Sequence, residues 1–176
     1  QLMYDCKAPV SVEYFSLCNR LVSRNVFERN VILPFEGVNM WDDVGLCTRV
    51  RFYTRGTAVI NKGFYHYNRQ NEQSTTRRPL LERAREQELC ISCIEDFFRK
   101  EDSHDKYRLF LSYLRLVAAE DLFYYEPDIW RQKFEGLKDD LWKLRKLYTT
   151  KQLFKFYMLG CGGIIGKLVW KRFWKR

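Results

Sequence analysis

The sequence predicts an α+β protein that is predominantly helical. Three observations indicate this class: β-forming segments separated by turn residues before residue 68, apolar residues at helical spacing from residue 79 to about 148, and an aromatic content of 16%. A chain of 176 residues is long enough for one domain with a core and a smaller appendage. We therefore expect three segments, 1–78 with the strands, 79–150 as a helical appendage and 151–176 as a basic, aromatic and amphipathic tail.

The first segment begins with an irregular lead-in up to residue 13. Residues 18–22 are rich in β-formers and predict a strand, and a short helix over 26–30 follows, ended by the passage into Pro34. The next helix begins near Trp41 and ends at Gly56, because a glycine can take the left-handed cap conformation.

Two further short strands are predicted at 57–60 and 64–67. Asn61, Lys62 and Gly63 between them have the composition of a tight turn. A polar segment at 68–76 comes next, and it is interpreted either as a lid over a ligand or as a plain linker.

From Pro79 onward the apolar pattern is helical. Pro79 fits the first position of a helix that runs to about residue 99, and Asp102 or Ser103 can cap a second helix that Pro127 ends. Two more helices, at about 128–134 and 138–148, complete the expected appendage.

The charge is concentrated at the C-terminal end of the sequence. Of the net charge of +9, residues 141–176 contribute ten Lys and Arg and no Asp or Glu, whereas the first 140 residues carry 21 basic and 22 acidic side chains. A nucleic-acid interface requires a basic face on the folded body. Because the body is close to neutral, we expect no nucleic-acid partner.

The six cysteines do not form the paired framework of a small secreted domain, and reduced thiols are expected. Cys90 and Cys93 have CxxC spacing, but a zinc site would need a second pair or nearby histidines, and the chain has only His66 and His104. We interpret both cysteines as small hydrophobic residues on a helix face.

Two adjacent acids, Asp42 and Asp43, are predicted on the first turn of the helix near Trp41, with Asn39 as its cap. One interpretation is a catalytic base. The other is structural, because acids in a first turn complement the helix dipole by about 0.3–1 kcal/mol.

The tail combines aromatic and basic residues. A lysine and several glycines interrupt its apolar runs, so none of these runs is long enough for a helix that spans a bilayer. Tryptophan beside lysine is typical of an element that lies in the membrane interface. The alternative is a helix packed on its own domain or on a partner. The residues expected at the membrane surface are Lys167, Trp170, Lys171, Arg172, Phe173 and Trp174.

Four short segments, in the order in which they occur, make the chain resemble the carboxy-terminal half of a family 2 glycosyltransferase of the GT-A fold. The similar segments are 18–24, 32–37, Trp41 with Asp42 and Asp43, and 64–69 followed by Ser74. Their order and spacing are more specific than any one of them. The resemblance covers about residues 14–76, and it implies the C-terminal part of an α/β domain followed by an all-helical appendage.

The resemblance implies inverting transfer of a sugar from a nucleotide-sugar donor to a glycan acceptor, in the synthesis of cell-surface polysaccharide. It assigns the general base to Asp43 and acceptor positioning to Asp42, while Arg69 and Ser74 belong to a loop over the diphosphate. A cytoplasmic enzyme, peripheral at the inner face of the membrane, is expected.

The family's donor-binding half, with an Asp-x-Asp motif that holds Mg²⁺ or Mn²⁺, has no counterpart here, since no Asp-x-Asp occurs in the sequence. A divalent cation is therefore expected only in a complete enzyme, and we expect this chain to be a piece of a longer protein that is inactive alone. Self-association through exposed apolar stripes is a further expectation. The alternative function is a non-enzymatic helical module that docks on a membrane surface or a protein.

Overall fold

The computed structural model describes residues 15–18, 20–58, 60, 62–63, 65–66, 80–125, 127–160 and 168. Within these residues the regular structure is helical. The helices are α1 Arg24–Asn30, α2 Asp42–Tyr53, α3 Leu80–Lys100, α4 His104–Tyr125, α5 Pro127–Leu144 and α6 Thr150–Gly160, with a 3₁₀ turn at Arg145–Leu147 between the last two.

The predicted α+β class is wrong for the described part of the chain, which contains no strand and therefore no part of a GT-A sheet. The described residues of the expected strands at 18–22, 57–60 and 64–67 are irregular. Ala58, Ile60 and Tyr65 are exposed there. An isolated two-stranded hairpin is marginal in water, so β propensity alone does not make these segments strands.

Helix α4 runs antiparallel to both α3 and α5. The α3–α4 connection is short because Asp102 takes a left-handed conformation, with φ 48°, and the Ser103 N–H donates to the Phe98 carbonyl at 2.8 Å. This is the hydrogen bond of a Schellman motif, formed here without glycine. Near the same turn the rings of Phe98 and Tyr107 pack with their centroids 4.4 Å apart.

Helix α5 is continuous where two helices were predicted, at 128–134 and 138–148. Phe134, Leu137, Leu141 and Leu144 form one buried stripe on it, so packing against α4 and α6 continues across Gly136. The buried Asp140 adds a polar anchor, because it accepts hydrogen bonds from Arg108 and Ser112 of α4, each at 2.7 Å. These contacts outweigh the helix-breaking tendency of one glycine, about 1 kcal/mol.

Helix α2 lies alongside α3 in the same direction. A Cβ at Gly45 would lie 3.5 Å from the Cys90 sulfur. Further along in the same direction, Tyr53, the last residue of α2, donates its hydroxyl at 2.7 Å to a carboxylate oxygen of Glu101, which directly follows α3. The rings of Phe52 and Phe97 meet between these two points, with centroids 5.1 Å apart. Helix α2 is thereby attached to the long helices of the bundle.

The core consists of two clusters of buried side chains. One joins the segment before α3 to α3 and α4, and the other joins the start of α3 to α4, α5 and α6. The first contains Phe15, Val38, Val44, Cys90, Ile91, Ile94, Phe98, Tyr107, Phe110, Leu111, Leu114 and Ala118; the second contains Ala84, Leu116, Ala119, Phe134, Leu137, Leu141, Leu144 and Phe156.

Candidate functional site

The loop at 31–41 holds the start of α2 against α3. The Met40 N–H donates to a carboxylate oxygen of Glu86 at 2.6 Å, and the Cys90 thiol donates to the Trp41 carbonyl at 3.2 Å. Val38 and Met40 are buried beneath these contacts. Since Glu86 and Cys90 both belong to α3, the head of α2 has a defined position on the bundle.

Helix α2 begins at Asp42, and both acids lie in its first turn. The expected cap is wrong: Trp41 occupies the N-cap position in a left-handed conformation, with φ 69°, and Asn39 makes no capping hydrogen bond. A left-handed tryptophan is costly, because its Cβ approaches the following carbonyl. The contacts of the loop with Glu86 and Cys90 offset that cost.

The two carboxylates have different surroundings. Asp42 is exposed and accepts the Asp43 N–H at 2.8 Å, whereas the side chain of Asp43 is half-buried. Neighbours on a helix point about 100° apart, so one side chain faces solvent while the next faces the bundle. The pair therefore does not act as two equivalent acids.

Burial raises the pKa of Asp43, and the negative charge of Asp42 raises it further. The N–H groups of Val44 and Asp43 itself lower that pKa, but by less. The N–H groups of the helix N-terminus, which favour the ionised carboxylate, are therefore the weaker influence here. A higher pKa makes a carboxylate a stronger proton acceptor as long as it remains ionised.

Three thiols lie within electrostatic reach of Asp43: Cys18, Cys47 and Cys90. Its charge is a minor influence on each of their pKa values, and on Cys18 hydrogen bonds from Tyr65 and Ser16 outweigh it, so that pKa is lowered. Burial raises the pKa of Cys47 to about 11, against the opposing charges of Arg20 and Arg51. The cationic groups of Arg20 and Arg51 thus lie within electrostatic reach of Cys47. Arg20 is oriented by its Nε–H, which donates to the Ser16 carbonyl at 2.6 Å.

Sequence reasoning did not identify Glu86 or Cys90 as residues that position the acid pair. Their partners Met40 and Trp41 are 46 and 49 positions away along the chain. No short-range pattern in the sequence signals a contact of that separation. Cys90 was interpreted as a small hydrophobic residue on a helix face; it is buried, and its thiol also donates a hydrogen bond to the loop.

The remaining predicted site residues fall outside the described residues. These are Arg69 and Ser74 of the expected diphosphate loop, and the tail residues Lys167, Trp170, Lys171, Arg172, Phe173 and Trp174. Among the residues that are described, no group of three or more His, Cys, Asp or Glu side chains is arranged to hold a metal ion.

Two open grooves occur elsewhere on the described surface, and the acid pair lines neither. One, of about 450 Å³, is lined by Lys138, Asp139, Trp142, Lys143 and Tyr157. The other, of about 360 Å³, is lined by Arg99, Asp102, His104, Asp105 and Lys106.

Comparison of the chain with protein-family models, with curated proteins and with solved structures gave no match. The similarity to family 2 glycosyltransferases stays a prediction from the sequence segments described above.

Proposed function

We propose that residues 14–76 supply the acceptor side of an inverting, nucleotide-sugar-dependent glycosyltransferase that builds a cell-surface glycan, with Asp43 as its general base. The observation that carries this proposal is the junction of loop and helix, where Asp43 sits half-buried in the first turn of α2 with a raised pKa. The order and spacing of the four similar segments support it. The helical architecture of the described residues gives it no support.

Transfer of a sugar to a hydroxyl group requires a general base such as this carboxylate. An acceptor hydroxyl is a poor nucleophile at neutral pH, and a base that takes its proton as the new glycosidic bond forms contributes about 10²–10⁴-fold. Asp43 accepts that proton while the diphosphate departs from the anomeric carbon. Asp42, exposed beside it, is suited to hold another acceptor hydroxyl.

In the family that the chain resembles, an Asp-x-Asp motif binds the donor, and the 176 residues contain no such motif. We propose that a divalent cation and the nucleotide bind to a separate part of the complete enzyme. Arg69 and Ser74 would contribute to the diphosphate from this chain, because a guanidinium pairs well with phosphate oxygens.

The test uses the longest natural protein that contains this chain, incubated with a panel of nucleotide-sugars, glycan acceptors and Mg²⁺ or Mn²⁺, with release of nucleoside diphosphate as the readout. We expect Asp43→Asn to lower the turnover number by about 10²–10⁴-fold. Asp96→Asn, an exposed acid on α3, is the matched control and should leave turnover unchanged. Undiminished turnover in Asp43→Asn would remove Asp43 from this role.

A second candidate is a non-enzymatic helical docking module. The observation that favours it is that the Asp42 carboxylate accepts the first-turn N–H of Asp43, which is what a structural acid at a helix N-terminus does. If no nucleotide-sugar yields a product with the wild-type protein, this second function is the better explanation of the fold.

A further inference from the structure

The surface around the end of α5 and the start of α6 is both basic and aromatic. Trp142 is 60% exposed and Phe154 is 54% exposed, although both are large apolar side chains. Trp142 and Tyr157 line the 450 Å³ groove together with Lys138 and Lys143. We define the α5–α6 face by Lys138, Trp142, Lys143, Lys146, Lys151 and Phe154.

Core packing does not explain these exposed rings. The buried side of α5 is provided by Leu137, Leu141 and Leu144, and that of α6 by Phe156. Trp142 lies outside this buried stripe and is exposed, so packing of the core does not account for the position of its ring.

The Trp142 ring is held in place at the surface. The Arg145 guanidinium lies 4.5 Å from the ring centroid, and its Nη1–H donates to the Trp142 carbonyl at 2.7 Å. Such a cation–π contact covers one face of the indole.

The charge of the face is positive. Residues 138–160 contain six Lys and Arg, of which Lys155 is buried, and two Asp. Asp140 is buried, with Arg108 2.7 Å away and Lys143 3.5 Å away, which leaves Asp139 as the exposed acid of this stretch. Lys138, Lys146 and Lys151 are exposed, and they flank the two protruding rings along the chain.

We propose that the α5–α6 face docks on a membrane surface rich in anionic lipid. Trp142 and Phe154 enter the headgroup region, and the lysines contact the lipid phosphates and carboxylates. In the described ranges, no helix combines the length and the apolar character needed to cross a bilayer. This inference is independent of the proposed glycosyl transfer.

The test is sedimentation of the whole chain with vesicles of phosphatidylcholine alone and with vesicles of equal parts phosphatidylcholine and phosphatidylglycerol. We expect binding to the second kind. Since each basic side chain near such a surface strengthens binding about five-fold, the triple variant Lys138→Gln, Lys143→Gln, Lys146→Gln should bind about 100-fold more weakly. Its control, Arg55→Gln, Lys62→Gln, Lys100→Gln, makes the same charge change at exposed positions elsewhere and should bind like the wild type.

A second pair of variants tests the rings. Trp142→Gln with Phe154→Gln should weaken binding at least ten-fold, whereas Leu33→Gln with Ile60→Gln, both also exposed, should not. Far-ultraviolet circular dichroism is the check that all variants are folded. Equal binding by face and control variants would overturn the proposal, because the tail would then suffice. Binding to single-stranded RNA without binding to vesicles would overturn it as well.

Discussion

The ring of Phe35 lies directly against Gly45 of α2. A Cβ built at Gly45 would come within 2.8 Å of Cδ2 of that ring, and the Arg49 guanidinium stacks on the ring at 3.8 Å from its centroid. The ring is thus held between the helix backbone and a cation one turn further on. This contact ties the loop before the acid pair to α2.

We predict that Gly45→Ala destabilises the protein by about 1–3 kcal/mol, because the new methyl group must displace the Phe35 ring from Arg49. Thermal or urea unfolding measures the change. Gly136→Ala is the matched control, since a Cβ there meets no atom within 4 Å and alanine is the better helix former. It should stabilise by about 0.5–1 kcal/mol. If both variants changed the free energy of unfolding with the same sign and size, the close contact between Phe35 and Gly45 would be contradicted.

We predict that Asp43→Asn raises the melting temperature at pH 7. Burial and the charge of Asp42 raise the pKa of Asp43 in the folded chain, so the folded state binds more protons than the unfolded state and stability falls as the pH rises through this range. The asparagine side chain carries no charge, so it removes this loss of stability. The gain should vanish below the ordinary aspartate pKa of 3.8, where the carboxyl is protonated in both states. Asp96→Asn, at an exposed position on α3, is the control and should leave the melting temperature at pH 7 unchanged.

We predict that Glu95→Gln destabilises the protein by about 1.5–3 kcal/mol at pH 7. Burial acts to raise the pKa of Glu95, but Arg115, His104 and Arg99 outweigh it and lower that pKa. Arg115 contacts one carboxylate oxygen, and Arg99 at 2.8 Å and His104 at 3.0 Å contact the other.

The pH dependence of Glu95→Gln has the opposite sign to that of Asp43→Asn. A lowered pKa means that the stabilisation is present above the unfolded-state pKa and is lost as the pH falls through the folded-state pKa. The difference between wild type and Glu95→Gln should therefore shrink in acid. Glu82→Gln, an exposed acid on the same helix, should leave the unfolding free energy within about 0.5 kcal/mol.

We predict that iodoacetamide labels Cys18 well before Cys47 and Cys90 in the folded protein. Hydrogen bonds from Tyr65 and Ser16 lower the pKa of Cys18, which is exposed. Burial raises the pKa of Cys47 to about 11 and that of Cys90 to about 12. Because the thiolate is the reactive form, peptide mapping after brief alkylation should show this order. Rapid labelling of Cys90 would contradict its hydrogen bond to Trp41.

The long helices follow from local pattern. Helix α3 begins at Leu80, directly after the proline expected to start it, and α4 begins at His104, after the expected capping region. Pro127, predicted to end one helix, is the first residue of the next. Prolines and apolar periodicity act over one or two turns, which is why a sequence alone locates such boundaries.

The strands could not be predicted in the same way. A strand exists only when another strand accepts its hydrogen bonds, and β-forming residues such as those at 57–60 carry no information on whether that partner is present. The break expected within α5 was wrong for a related reason, because the stripe from Phe134 to Leu144 packs on α4 across Gly136.

The sequence by itself determined where the helices α3 and α4 begin, and that Asp42 and Asp43 stand together at the head of α2, because these features depend on neighbours within a few residues. Only the tertiary structure decided that Asp43 is half-buried while Asp42 is exposed, that Glu86 and Cys90 hold the loop before them, and that Trp142 lies at the surface under Arg145. Burial and electrostatics are set by residues far apart in the chain, and folding alone brings them together.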